Sequence, residues 1–148
     1  MFNKYMNIAI EEAKHALSES EVPVGAVVVK NGVVVSAAHN MRECTSNALA
    51  HAEIIAINKA CLSLGNWRLN DCDMYVTLEP CPMCSGAILQ SRIKNLYFGA
   101  YSKDSGCMGT VINLPSIIKN TEITVYGGIM ESECSKLISE FFDNHSSK

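Results

Sequence analysis

The sequence predicts a three-layer α/β/α sandwich built on a mixed five-stranded sheet. The first observation is a hairpin: two valine-rich runs, residues 24–29 and 33–37, are joined by Asn31-Gly32, a dipeptide that favours tight turns. The second observation is the alternation of strand and helix patterns after this hairpin, because parallel strands need such crossover connections. An antiparallel hairpin followed by crossovers predicts a mixed sheet covered by helices on both faces.

Hydrophobic periodicity and helix-ending residues define the individual elements. Apolar residues at helical spacing predict four helices, at about residues 3–17, 50–65, 82–92 and 131–142. Pro82 suits the first turn of the third of these helices. Short apolar runs predict five strands, at residues 24–29, 33–37, 74–78, 94–98 and 122–126. Polar and glycine-containing segments predict loops at residues 40–49 and 100–110.

The composition is that of one globular domain, residues 1–148. With 48% hydrophobic and 18% charged residues, the chain can bury a core and is too apolar to be disordered. The formal charge of −3 gives no sign of a polyanionic partner over the chain as a whole. One stretch that is poor in acids nevertheless carries four basic residues, Arg92, Lys94, Lys103 and Lys119.

Cysteine usage and the N-terminal residues favour a cytoplasmic location. Seven cysteines are an odd number, and those outside the Cys-x-x-Cys pair lack the spacing of a disulfide framework. Residues 1–5 contain no continuous apolar core of the kind found in signal peptides. No apolar stretch approaches the roughly 20 residues needed to span a bilayer, so we expect no membrane partner.

One imidazole, two thiols and one spare carboxylate occur in a pattern typical of a catalytic metal site. His51 precedes Glu53 by two residues, and Cys81 and Cys84 stand three apart at the start of a predicted helix. This spacing puts both sulfurs on one helix face, and a helix N-terminus favours thiolate over thiol. Three nitrogen or sulfur ligands leave one position of a tetrahedral zinc open for water. Glu53 lies close enough to handle the protons of that water.

Other interpretations of these residues stay open at this point. The Cys-x-x-Cys pair alone is also typical of thioredoxin-like redox proteins, but that interpretation leaves the histidine and the acid unexplained. A structural zinc needs a fourth protein ligand, which His39, Cys44 or Cys107 could supply. The ligand set fits zinc without excluding another metal. Asn40, which closes the second hairpin strand, is either a turn residue or an amide that bonds a ribose or a base edge.

His-x-Glu followed downstream by Pro-Cys-x-x-Cys resembles the motif of the zinc-dependent nucleobase deaminases. Further segments are similar to one branch of that superfamily, the bacterial tRNA-specific adenosine deaminases, and together they cover nearly the whole chain. These segments are residues 21–27, 75–87, 91–93, 98–100 and 128–142. The resemblance implies the cytidine deaminase-like fold.

The resemblance also implies a chemistry for the metal motif. One zinc ion per chain would be held by His51, Cys81 and Cys84. Glu53 would take a proton from the attacking water and pass protons to the ring and to the departing amine. The products would be inosine and ammonia.

The implied substrate is the wobble adenosine of a tRNA anticodon, extruded into the pocket by a homodimeric enzyme. Asn40 matches the asparagine with which the family contacts its substrate, and the backbone near Ala52 would help to hold the base. A deaminase of a free base or nucleoside, of guanine or cytosine type, is the alternative enzyme. A non-catalytic zinc-stabilised binding module is the alternative from another class, although such a module has no need of the acid.

Three segments depart from the pattern of the tRNA branch. Asn47-Ala48-Leu49 stands where the family usually has Asp-Pro-Thr, Ser102 stands at an expected acidic position, and residues 143–148 form no basic tail. None of them touches the metal chemistry. All three bear on RNA affinity, because phosphate contacts supply most of it. The basic residues between positions 92 and 119 would then have to carry more of that affinity.

Overall fold

The structure, a computed structural model, describes residues 2–145; Met1 and residues 146–148 of the predicted domain lie outside this range. Helices and strands alternate along most of the described chain. In order, they are α1 (Phe2–Ser18), β1 (Gly25–Lys30), β2 (Val33–His39), α2 (Arg42–Thr45), α3 (Ala52–Leu64), β3 (Cys72–Leu78), α4 (Pro82–Gln90), β4 (Asn95–Ala100), α5 (Leu114–Ile117), β5 (Thr124–Tyr126) and α6 (Glu131–His145).

The five strands form one mixed sheet in the order β2-β1-β3-β4-β5. Strand β1 is antiparallel to both of its neighbours, whereas β3, β4 and β5 are parallel to one another. At the hairpin, Asn31 and Gly32 have φ angles of 51° and 76°, the left-handed conformation that the Asn-Gly dipeptide predicts. The expected mixed five-stranded sheet is therefore confirmed.

Alternate residues of each strand feed two separate cores, one on each face of the sheet. In β1, Ala26 and Val28 face the core that contains the buried side of α3, while Val27 and Val29 face the core beneath α1. This alternation follows from the two-residue repeat of a strand, and it accounts for the absence of polar residues in the middle of β1. None of the helices within residues 2–145 combines the length and apolar character that crossing a membrane requires.

Two short helices occupy segments for which the sequence predicts only loop or makes no prediction. They are α2, within the predicted loop at residues 40–49, and α5, beyond the loop at residues 100–110. Each is a single turn, too short for hydrophobic periodicity to reveal. Helix α3 begins at Ala52, not near Ala50, which leaves His51 as its N-cap residue. His51, a predicted metal ligand, therefore has an extended rather than a helical backbone.

Gly25 should be intolerant of any side chain, because α1 crosses directly over the first residue of β1. A Cβ atom at Gly25 would lie 1.9 Å from the Ala9 carbonyl oxygen, a backbone atom that cannot rotate away. We expect Gly25→Ala to lower the free energy of unfolding by about 1–3 kcal/mol or more, measured by urea denaturation. Gly86→Ala is the matched control, since a Cβ there meets no atom within 4 Å. Equal stability of the two variants would contradict this packing.

Candidate active site

His51 lies at the point where the chain enters α3. Its backbone is extended, with φ −75° and ψ 152°, and its carbonyl oxygen accepts the N–H of Ile55 at 3.1 Å. The helix predicted at about residues 50–65 would contain both His51 and Glu53 and would set them about 200° apart. The predicted start is wrong, because His51 is an N-cap residue and only Glu53 is helical.

Cys81 occupies the equivalent position at the start of α4. Its φ of −73° and ψ of 177° are again extended, its carbonyl oxygen accepts the N–H of Ser85 at 2.8 Å, and Pro82 follows in the first turn. Cys84 lies in that first turn and is fully buried. Two helix N-termini therefore face one point, where their dipoles favour negatively charged sulfur.

The three sequence-predicted ligands come together with spacings that a zinc ion requires. The Nδ1 atom of His51 lies 3.6 Å from the Cys81 sulfur and 3.4 Å from the Cys84 sulfur. Zinc bonds of about 2.3 Å to sulfur and 2.0–2.1 Å to nitrogen, at the tetrahedral angle, separate those two atoms by about 3.6 Å. The residues present therefore fit zinc.

No fourth protein ligand closes this site within residues 2–145. The one group of His, Cys, Asp or Glu side chains found there with metal-binding spacing is His51, Cys81 and Cys84. The three residues considered as a fourth ligand make other contacts. The ring of His39 contacts the carboxylates of Glu12 and Glu19, each at 2.8 Å. The thiols of Cys44 and Cys107 donate to the carbonyl oxygens of Met41 and Ser105. The geometry thus favours an open, catalytic site over a closed, structural one.

Hydrogen bonds prepare Cys81 for a cation. The hydrogen bond from Cys84, together with that from His51, lowers the pKa of Cys81 to about 4 against the opposing effect of burial. A thiolate at Cys81 at neutral pH is the form of cysteine that binds metals.

Glu53 is a buried acid with an oxygen to spare. Its side chain is 4% exposed, and no donor within the described residues reaches its Oε1 atom. Burial raises the pKa of Glu53 to about 7, because a desolvated carboxylate is less stable than the neutral acid. A carboxyl group with such a pKa can both accept and release a proton near neutral pH.

A cavity of about 250 Å³ opens beside these groups. Asn40 and Ala52, the two predicted substrate contacts, both line it. Asn40 is 4% exposed, its backbone N–H donates to the Val24 carbonyl oxygen, and among residues 2–145 its Oδ1 atom has no donor. A buried amide oxygen without a protein partner is suited to a ligand, since leaving it unpaired is costly. This unpaired oxygen favours a substrate contact over a simple turn role for Asn40.

Several residues that line the cavity were not singled out by the sequence. Phe142 is 50% exposed and lines the cavity, whereas the neighbouring Phe141 is 8% exposed. Arg42 and Ser105 also line it. Helical spacing could not have identified Phe142, because its position depends on where α6 ends relative to the sheet.

The basic residues Arg92 and Lys94 lie elsewhere. They line a different cavity, formed where β3 and β4 begin, whereas the candidate site follows the carboxyl end of β3. Arg92 and Lys94 therefore do not line the candidate site. Arg42 is a basic residue at the site itself.

Glu21 holds the segment that carries Arg42. The Glu21 side chain is 1% exposed, and its carboxylate accepts the N–H groups of Glu43 at 3.0 Å and Cys44 at 2.8 Å. Burial would raise the pKa of Glu21, but these two donors, together with the Cys44 thiol and His39, hold that pKa below the ordinary value of 4.5. One wall of the cavity is thus fastened by a buried charge.

Comparison with known proteins agrees with this geometry. The family described as "Cytidine and deoxycytidylate deaminase zinc-binding region" matches residues 2–100. The tRNA-specific adenosine deaminase of Bacillus subtilis (strain 168) is 48% identical over 139 residues, which are 93% of this chain and 86% of that protein. The chain belongs to the tRNA-specific adenosine deaminase branch of this deaminase family.

Solved structures of deaminases are also similar to this chain. One from studies of A-to-I editing by tRNA:A34 deaminases at the wobble position of transfer RNA has a TM-score of 0.87 and 39% identity, covering 90% of this chain and 98% of that one. The guanine deaminase from Bacillus subtilis has a TM-score of 0.65 and 29% identity, covering 93% and 91%. The expected cytidine deaminase-like fold is confirmed.

The stability that Glu21 gives to the deaminase should depend on pH. Because its folded pKa is lowered, its contribution is present above pH 4.5 and is lost as the pH falls through the folded value. We expect Glu21→Gln to cost about 1–3 kcal/mol of unfolding free energy at pH 7, and less at each step below pH 4.5.

The measurement is urea unfolding of both proteins side by side. Glu140→Gln, which removes an exposed acid 3.9 Å from Lys136, is the control and should change little at any pH. A Glu21→Gln penalty that is unchanged down to acid pH would contradict the charged, hydrogen-bonded carboxylate.

Proposed function

We propose that this protein hydrolyses the wobble adenosine of a tRNA anticodon to inosine and ammonia. The observation that carries the proposal is the unpartnered oxygen of the buried Glu53 next to three converging metal ligands. Its 48% identity to a tRNA-specific adenosine deaminase, over 93% of the chain, supports the choice of substrate. The proposed unit is one deaminase domain, residues 1–148.

In this proposal His51, Cys81 and Cys84 hold one zinc ion per chain. Zinc, when bound, supplies the Lewis acidity that allows a water molecule to act as a nucleophile near neutral pH. The three side chains contribute a fixed frame, since each is attached at or just after a helix start, Cys84 is buried, and His51 and Cys81 are partly buried. A rigid frame of this kind avoids reorganisation during the reaction.

Glu53 moves the protons. Its free Oε1 accepts a proton from the attacking water and donates it to the adenine ring as the C6–O bond forms. The carboxylate then takes the second proton from the oxygen added at C6 and passes it to the amino group as the C6–N bond breaks. The new C6–O bond and the departing ammonia balance the water consumed. The raised pKa of Glu53, about 7, suits both proton steps.

Asn40 and Ala52 hold the base. The free Oδ1 of Asn40 can accept a hydrogen bond from the sugar or the base edge. Ala52 is the first residue of α3, and the first N–H groups of a helix have no intrahelical acceptor, so its backbone can donate to the base. Both groups are buried, which makes their hydrogen bonds selective as well as stabilising.

The mouth of the cavity suits a nucleotide within RNA. Arg42 and the half-exposed Phe142 both line the cavity, so a cation and an aromatic ring are available to the phosphate and bases that flank an extruded adenosine. A free base needs neither. This pairing favours the RNA substrate over the free-base or nucleoside alternative.

Assembly and location form part of the same proposal: a homodimer in the cytoplasm. Apolar side chains are exposed on and beside α5 and on α3, a surface that association would bury. These residues are Leu62, Val111, Ile112, Ile117 and Ile118. All seven cysteines, each within the described residues, are free thiols, which suits a reducing compartment.

Replacement of Glu53 should separate metal binding from catalysis. We expect Glu53→Gln to retain one zinc per chain and to lower kcat by about 10²–10⁴-fold, because it removes proton transfer and leaves the three ligands in place. Zinc content by elemental analysis and steady-state rates check the two parts, with Glu140→Gln as the matched control at an exposed site. Loss of zinc from Glu53→Gln would contradict the assignment.

The substrate is tested with an anticodon stem-loop that carries a wobble adenosine. Formation of inosine at that position, and none from free adenosine or guanine, is the expected result. A second stem-loop with guanosine at the wobble position and adenosine beside it is the control for position. Deamination of the free base or nucleoside in preference to the stem-loop would replace the RNA substrate by the small-molecule one.

A further inference from the structure

Glu79 is a second buried acid at the cavity, and its surroundings differ from those of Glu53. It directly follows β3, lines the cavity and is 2% exposed. Its carboxylate accepts the N–H of Ser102, Met108 and Thr110, each at 3.1 Å, and the hydroxyl of Thr110. Every one of these groups is a donor, so the side chain serves purely as an acceptor.

The donors around Glu79 leave its carboxylate no free lone pair with which to take part in the reaction. A carboxylate has about four acceptor positions, and the four donors from one loop occupy them. Glu53, in contrast, keeps one oxygen without a partner among residues 2–145. A side chain that binds a substrate or carries a proton needs a free lone pair. Glu79 therefore acts through the loop that it holds.

That loop, residues 101–113, forms one wall of the cavity. Ser105 lines the cavity, and the N–H of Cys107 donates to the Pro80 carbonyl oxygen at 2.9 Å, immediately before the ligand Cys81. The loop thus lies against both the substrate space and the metal segment. Its position is set chiefly by Glu79, because that single side chain reaches three of the loop's residues.

Gly106 allows the loop to close around the carboxylate. A Cβ atom at Gly106 would lie 2.4 Å from both Cδ and Oε1 of Glu79. Position 106 requires a glycine because of the lack of space and not because of an unusual backbone conformation, since the φ angle of Gly106 is not positive. Any side chain at position 106 would therefore displace the carboxylate that holds the wall.

We propose that Glu79 is a positioning residue which, with Gly106, fixes the 101–113 loop as a preformed wall and so sets the affinity for the extruded adenosine. The proposal rests on the proposed function for the identity of the substrate, but not for the role of the carboxylate. A preformed wall contributes equally to binding in the ground state and in the transition state. Loosening it should raise KM and leave kcat unchanged.

Four variants test this role. Glu79→Gln places an amide N–H₂ opposite backbone donors, and Gly106→Ala displaces the carboxylate from the other side. Thr110→Val removes only the hydroxyl donor at nearly constant shape, and Thr110→Ser keeps that donor and is its control. We expect KM for the wobble-adenosine stem-loop to rise about tenfold or more in the first two variants, and about two- to fivefold in Thr110→Val. Thr110→Ser should resemble the wild type.

Hydrogen exchange measured by mass spectrometry supplies a second readout that needs no substrate. Exchange should accelerate in peptides from residues 101–113 of Glu79→Gln, Gly106→Ala and Thr110→Val, and should stay unchanged in α3 and β1. Zinc content should equal that of the wild type. If the wild type makes no inosine, the proposed function fails and the affinity for adenosine fails with it. Exchange in residues 101–113 then still tests separately whether Glu79 holds the loop.

Two outcomes would overturn the proposal. The first is unchanged KM and unchanged exchange in Glu79→Gln and Thr110→Val. The second is a fall in kcat and zinc content at constant KM, because a merely structural role reduces the number of competent molecules without changing their affinity. Since Thr110→Val makes the smallest change, it keeps the test decisive if Glu79→Gln fails to fold.

Discussion

The convergence of two helix N-termini on one point is the constraint on which the rest of the structure depends. His51 and Cys81 are both N-cap residues with extended backbones, and their carbonyl oxygens accept the first hydrogen bonds of α3 and α4. Helix α3 can lie close to the sheet because it presents small residues there: Ala52, Ala56 and Ala60 are completely buried. Packing on the sheet therefore brings an imidazole and two sulfurs within reach of one cation.

Three buried carboxylates around the cavity show how surroundings assign roles to the same functional group. Glu21 accepts two backbone N–H groups and Glu79 accepts three, so each fastens a wall of the cavity in place. Glu53 has one oxygen without a donor among residues 2–145 and a pKa raised to about 7, which suit the proton transfers of the proposed function.

The sequence predicts those features whose causes are local. The Asn31-Gly32 turn, the alternation within strands and the start of α4 at Pro82 follow from neighbouring residues, and the structure agrees with them. The N-cap position of His51 and the helix α2 were not predicted. Helix α2 depends on Glu21, more than 20 residues earlier in the chain, which no local pattern reveals.

The same limit applies to the candidate site. Its chemical groups are visible in the sequence because metal ligands require particular residue types at particular spacings. The cavity lining of Arg42, Ser105 and Phe142 is not visible, because it depends on how loops and the last helix pack. Charge counting also misleads here: Arg92 and Lys94 stand out in the sequence but lie at the other end of β3 and β4.

X-ray absorption spectroscopy of the zinc-loaded protein would show whether the site is open, with three protein ligands. We expect two sulfur ligands at about 2.3 Å and two nitrogen or oxygen ligands at about 2.0–2.1 Å, from His51 and one water. The spectrum should be the same in Cys44→Ser and Cys107→Ser. Three or more sulfur ligands, or a spectrum altered by either substitution, would instead show a site closed by the protein.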